Sequence, residues 1–208
     1  MSLTLRSHDF SELRLATLEM ESGHYLDFTS LMHLITSRNR DCLWAIVKAN
    51  ISEFRVAKGS SNNHQAWEGG YLDHVSEVMN LACQLYRTLG DLRKLPFTLS
   101  EALEVMFLHD VEKPFKKSDM LVYKDEHPIT ATKDNRKKFR ASIIEKFAIK
   151  LTPEQENALR YVEGVPDTEY TPGERTMGEL AAFCHSCDIL SARLWYDKGA
   201  NVPAPAWE

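Results

Sequence analysis

Tyr71-Leu-Asp-His-Val-Ser-Glu-Val-Met-Asn-Leu-Ala-Cys-Gln-Leu85 decides the fold class of this 208-residue chain. His74, Val78, Leu81, Ala82 and Leu85 recur at i, i+4, i+7, i+8 and i+11, the stripe that a helix turns toward a core. The same period runs through Ala102-Leu-Glu-Val-Met-Phe-Leu-His-Asp110, where Ala102, Val105, Met106 and His109 share one face. Leu180-Ala-Ala-Phe-Cys-His-Ser-Cys-Asp-Ile-Leu190 is a third apolar helical segment, with Asp188 inside it. In each segment a metal-ligand residue type sits in an apolar pattern, where a buried polar group needs a partner.

Working outward, the periodicity predicts helices near 8–20, 27–37, 41–50, 71–88, 99–109, 133–147, 153–163 and 175–197. Gly90 reads as the stop of the fourth, and Thr98 or Ser100 as the cap of the fifth. Thr152-Pro-Glu-Gln155 supplies an N-cap, a proline at the first helical position and early acids. Loops are expected at 58–63, from Lys113 to about Pro128, and at 164–173. Alternating strand patterns are scarce, so the expected fold is all-α, a compact multi-helix bundle.

The 43% hydrophobic content can bury one sizeable core, and the length suits a single domain over 1–208. A net charge of -5 argues against duplex nucleic acid or an anionic membrane as the main partner. It leaves room for a small phosphorylated substrate held in a locally basic cleft. With no apolar leader core and no stretch long enough for a membrane span, a soluble cytoplasmic protein is expected. Cys42, Cys83, Cys184 and Cys187 read as reduced, buried thiols. Cys184 and Cys187 form a CxxC, but inside a helical pattern and without a second pair to complete a zinc site.

His74, His109, Asp110 and Asp188 together form a candidate metal shell of two imidazoles and two carboxylates. Such donors suit Mn, Fe, Co, Ni, Zn or Mg, with positions left open for water and a substrate oxygen. Lys113 stands about one helical turn beyond His109, where an ammonium can offset developing negative charge, or simply complement a helix end.

The order H, then HD, then D resembles the HD superfamily of metal-dependent phosphohydrolases. His64-Gln-Ala-Trp-Glu-Gly-Gly-Tyr-Leu-Asp-His74 is similar to that family's opening stretch, Leu108-His-Asp-Val-Glu-Lys-Pro114 to its HDxxKP motif, and Asp188-Ile-Leu-Ser-Ala-Arg193 to its closing helix. The resemblance covers roughly residues 60–195, with the N-terminal helices expected to pack on that region. It implies hydrolysis of a nucleotide or related phosphate ester through a metal-activated water, with His74, His109, Asp110 and Asp188 as ligands and Asp110 also orienting or deprotonating the water. Lys113 would stabilise charge, and His64, Trp67, Lys116 and Lys117 would line the substrate.

Relatives with two metals carry further histidines between the HD pair and the last Asp, whereas here only His127 and His185 lie between Asp110 and Asp188. One divalent ion per chain is therefore expected. His185, about one turn before Asp188, is a candidate second-layer donor. Lys113, Lys116, Lys117, Lys133, Arg136, Lys137, Lys138 and Arg140 form a basic cluster able to gather phosphate, unless its charges merely face water. Glu112 stands where many relatives have glycine. That departure keeps a second function open, a catalytically weak metal-binding HD module acting as a ligand sensor or partner-binding protein.

Overall fold

The structure is a computed structural model, described over residues 7–60, 65–116 and 133–194. Its regular elements are helical, and no strand occurs among the described residues. In chain order they are α1 (Ser7–Glu21), α2 (Phe28–His33), α3 (Arg40–Ala49), α4 (Ile51–Val56), α5 (Gly70–Leu92), α6 (Leu99–Leu108), α7 (Lys133–Lys146), α8 (Pro153–Tyr161) and α9 (Glu179–Leu194). Short 3-10 turns lie at Lys113–Lys116 and Asp167–Glu169. The all-α expectation holds, and no described helix is long and apolar enough to cross a membrane.

Local chemistry sets the helix ends. Thr98 and Thr152 each accept from the backbone N–H three residues on, while Glu101 and Gln155 reach back to the cap residue's own N–H, making two capping boxes. The Asp27 side chain accepts from Ser30 N at 2.8 Å and starts α2. That helix is shorter than the predicted 27–37, because Leu34 and Ile35 close it with tighter i→i−3 bonds. Gly90 does not stop α5, which runs on to Leu92. An interior glycine costs only about 1 kcal/mol relative to alanine, too little to end a well-packed helix. The short α4 has no counterpart among the sequence-predicted helices, since six residues hold too few repeats to show a period.

α4 is nevertheless central, because it supplies Phe54. That ring is fully buried and meets Tyr71 of α5 at 5.1 Å, Phe115 of the 3-10 turn at 6.3 Å and Phe107 of α6 at 6.5 Å, with Phe139 of α7 a further step away against Phe115. α9 packs on α5, α6 and α8, and α5 also packs on α6. The three helices bearing the candidate ligands therefore touch one another in pairs. Asn80 of α5 secures the N-terminal part, accepting from Leu26 N at 2.7 Å and donating to Leu26 O at 2.9 Å.

The entrance to α5 is the tightest passage of backbone. Gly69 is left-handed (φ +80), and a Cβ on Gly70 would lie 2.1 Å from the Gln65 carbonyl oxygen. Gly90, on the same helix, has nothing within 4 Å of a Cβ. Gly70→Ala is expected to cost about 1–3 kcal/mol through overpacking against backbone. Gly90→Ala should instead gain about 0.5–1 kcal/mol by removing a flexible residue from a helix interior. Urea denaturation of the two variants beside the parent checks the pair, and equal effects would overturn this reading of the α5 entrance.

Candidate metal centre

His74 projects from the second turn of α5, His109 and Asp110 from the turn that ends α6, and Asp188 from the middle of α9. The His74 and His109 side chains are essentially without solvent exposure, and those of Asp110 and Asp188 are 5% and 19% exposed. His74, His109 and Asp188 offer ligand-type atoms that all lie within 4.8 Å of one another. His74 Nε2 is 3.2 Å from His109 Nε2, and Asp188 Oδ1 is 3.3 and 3.5 Å from those two nitrogens. Asp110 Oδ2 stands 3.4 Å from His74 Nε2 and 3.3 Å from His109 Nε2.

The His74, His109 and Asp188 spacings could hold a metal ion, and Asp110, expected as a fourth ligand, is not part of that compact group. Neighbouring ligands held about 2.0–2.2 Å from one ion lie about 2.8–3.6 Å from each other, from octahedral to tetrahedral arrangements. His109 Nδ1 is 2.6 Å from Met106 O, a group that only accepts, so Nδ1 carries hydrogen and Nε2 is the nitrogen turned to the cluster. A cation, proton or metal, beside these nitrogens would relieve the repulsion between the acceptor atoms that meet there.

The electrostatics of the metal-free residues point the same way. Burial alone would lower the His109 imidazole, but the Asp110 and Asp188 carboxylates outweigh it and raise it to about 10. Burial works against both carboxylates, yet Lys113 and the imidazoles hold Asp110 well below the usual range, and His109 and His74 hold Asp188 well below it.

Lys113 Nζ contacts Asp110 Oδ2, the oxygen that also faces the two imidazoles. Burial disfavours its charge, and Asp110 more than restores it, so the ammonium persists. Lys113 reaches this position through the turn and 3-10 segment after α6, not through a continued α-helix. Trp67 is half-buried and donates its indole N–H to Asp73 at 2.6 Å, which fastens it to the first turn of α5. The Gly69-Gly70 pair is the turn that starts that helix. His64, Lys117 and His127 lie outside the described residues, as does the Lys116 side chain.

Two expectations need correction. Arg140 is no phosphate gatherer at the surface: it is buried, and it donates to His109 O and, at 3.2 Å, to Leu159 O, bracing the HD turn against α8. His185 does not donate to the cluster's ligands. Its Nδ1 is 2.6 Å from Val162 O, which ties α9 to the end of α8.

The four cysteines are free, and Cys83, Cys184 and Cys187 are buried. Burial pushes the Cys83 and Cys187 thiols up to about 12, so they remain protonated, unlike metal-binding thiolates. The sequence reading missed Ser191 and Glu77. Ser191 Oγ lies 3.1 Å from His74 Nδ1, and Glu77 accepts from Ser191 at 2.9 Å. Their only signal was i+3 spacing from Asp188 and His74. Glu112 was noted only as a departure from glycine. It is buried, its Oε2 has no hydrogen-bond partner among the described residues, and burial and then Asp110 push its carboxyl up to about 7.

No protein-family profile, curated protein or solved structure matches this chain.

Because the metal-free site holds a proton on His109 up to about pH 10, an incoming cation must displace it. Calorimetric titration of a divalent metal at pH 8, in two buffers with different ionisation heats, should show about one proton released per ion bound. Apparent affinity should rise with pH toward 10, since protons compete less. Heats that do not depend on the buffer would refute the linkage.

Proposed function

We propose that this chain is a metal-dependent phosphohydrolase of the HD type, acting on a nucleotide or related phosphate ester. The observation that carries the reading is the meeting of the H, HD and D residues at one point, with two imidazole Nε2 atoms 3.2 Å apart between two carboxylates. The donor set and its spacing fit one divalent ion from the Mn, Fe, Co, Ni, Zn or Mg group. Such an ion supplies Lewis acidity and acidifies a water near neutral pH.

The chain's own residues supply the rest. His74, His109 and Asp188 fix the centre from three helices, so its geometry is set by packing of the bundle. Asp110, with Oδ2 3.4 and 3.3 Å from the two imidazole nitrogens, would serve as a fourth ligand or orient water beside the ion. The Lys113 ammonium, fixed beside Asp110, offsets negative charge that develops on a phosphoryl oxygen. The substrate is taken to be small and anionic; neither duplex nucleic acid nor a membrane is part of this reading.

Glu112 favours a second reading. A buried carboxyl two residues from Asp110, one of whose oxygens has no hydrogen-bond partner among the described residues, adds negative charge beside a centre meant to receive a phosphate whenever it ionises. That suits a metal-binding module that senses a ligand or binds a partner with little turnover.

Metal analysis of protein purified without chelator, together with phosphate release from a panel of nucleotides and other phosphate esters, decides between them. About one ion per chain is expected, the count for a single open site. Asp110→Ala should reduce release by at least about 100-fold, the lower range for loss of a catalytic group. Metal without release would favour the module, and metal-free protein that cannot be loaded would remove both readings.

A further inference from the structure

We propose that Gln65, Glu77 and Ser191 form a positioning chain that holds His74 as its Nδ1–H tautomer, with Nε2 directed at His109, Asp110 and Asp188. The inference rests on the metal-centre reading above and concerns residues outside the ligand set.

Direction along the chain follows from which groups can donate. Ser191 Oγ is 2.9 Å from Glu77 Oε2, and a carboxylate oxygen only accepts, so the hydroxyl proton is committed to Glu77. The serine oxygen therefore faces His74 Nδ1, 3.1 Å away, with a lone pair. Nδ1 must then donate, which leaves His74 Nε2 bare toward the cluster. The same outcome is reached at His109 through Met106 O, so both rings present the same nitrogen inward by different means.

Helix geometry makes this arrangement possible. Glu77 lies one turn beyond His74 on α5, and Ser191 one turn beyond Asp188 on α9. The contact between these two helices that assembles the ligands also assembles their support. All members are buried, with Ser191 at 0% and Glu77 at 7% exposure. Glu77 gives the chain an anionic end, which strengthens the imidazole as a donor to a cation.

Gln65 closes the network, its Nε2 donating to Glu77 Oε2 at 2.6 Å and lying 3.3 Å from Ser191 Oγ. Its backbone is left-handed (φ +44), a conformation that strains a non-glycine residue. Two glycines allow it. A Cβ on Gly59 would lie 2.8 Å from Gln65 Cβ, one on Gly70 would meet the Gln65 carbonyl, and Gly59 N donates to Gln65 O at 2.9 Å. The strain is held by the surrounding backbone and places an amide against Glu77.

The test combines two readouts on Ser191→Ala, Glu77→Gln and wild type. Long-range 15N–1H correlation spectra of metal-free protein report the His74 tautomer, and competition with a chromophoric chelator reports Zn2+ affinity. Wild type should show His74 as Nδ1–H. Ser191→Ala should give a mixture of tautomers and about 10–100-fold weaker Zn2+ binding, the range for lost support of a metal-binding histidine. Glu77→Gln preserves the side-chain shape and, with its amide oxygen toward them, the bonds accepted from Ser191 and Gln65, so it should keep the tautomer yet lose about tenfold in affinity. It also serves as the folded comparison if Ser191→Ala is unstable. An Nε2–H His74 in wild type overturns the proposal. So does Zn2+ affinity within twofold of wild type in both variants. If wild type binds no Zn2+, the metal reading falls, and the His74 tautomer in wild type and Ser191→Ala alone upholds or overturns the positioning chain.

Discussion

Two buried imidazole nitrogens held 3.2 Å apart, with a carboxylate on either side, form the constraint around which this bundle is arranged. Unpaired buried charge is expensive, so these groups persist only if each has a partner and a cation, proton or metal, completes the set. Three helices must then meet within hydrogen-bond reach of one point. That explains why α5, α6 and α9 pack in pairs, and why the polar residues buried near their junction are tied down. Arg140 holds the carbonyl of His109, and Met106 O orients the His109 ring. Farther out, Asn39 joins Glu104 of α6 to the backbone of Lys150, and Asn80 joins α5 to Leu26. The links through Arg140, Asn39 and Asn80 each tie a helix that carries a candidate ligand to another part of the chain.

Below this junction the packing is aromatic. Phe54, Tyr71, Phe107 and Phe115 come from four successive pieces of chain and meet around one ring. Tyr71 sits one turn before His74, and Phe115 five residues after Asp110, so the apolar cluster and the polar one share their backbone. The Tyr71 hydroxyl has no hydrogen-bond partner among the described residues, and burial followed by the Asp110 and Glu112 charges holds its pKa well above the ordinary value. The phenol is therefore neutral beside two acids and adds no charge to the site.

The candidate ligands were legible in the sequence because each lies within an apolar helical segment, and such a segment predicts which side faces inward. His74, His109 and Asp188 needed no knowledge of distant residues to be placed in the core. Their supports were not legible for the opposite reason. Glu77, Ser191, Gln65 and Arg140 are residue types that usually face water, and only their mutual hydrogen bonds make burial tolerable. Those bonds span up to 126 positions, as between Gln65 and Ser191, and no local pattern reports them. Arg140 shows the error that follows, since a basic residue on an amphipathic segment reads as surface until its carbonyl acceptors are known. α4 and Gly90 failed for a smaller reason: six residues are too few to display a period, and one glycine is too weak a signal to end a helix whose face is buried.

Charge balance connects the centre to the kind of substrate it suits. Asp110 and Asp188 contribute two negative charges and Lys113 one positive, so the metal-free cluster reaches neutrality with a single proton, as the raised His109 implies. On the proposed reading a divalent ion replaces that proton, and the ion with Asp110, Asp188 and Lys113 becomes positive by one charge, which the more distant Glu77 carboxylate behind His74 offsets in part. A buried centre with that excess attracts an anion, as a phosphate ester requires, and it does so without a basic surface; this is how an acidic chain can serve a phosphorylated substrate. Glu112 is the residue on which the balance turns. Ionised, it cancels the excess and leaves a centre that grips metal but draws phosphate weakly; protonated, it leaves the excess intact. Its burial and its closeness to Asp110 both favour the protonated form, so the carboxyl that departs from the family pattern is compatible with a centre that attracts anions.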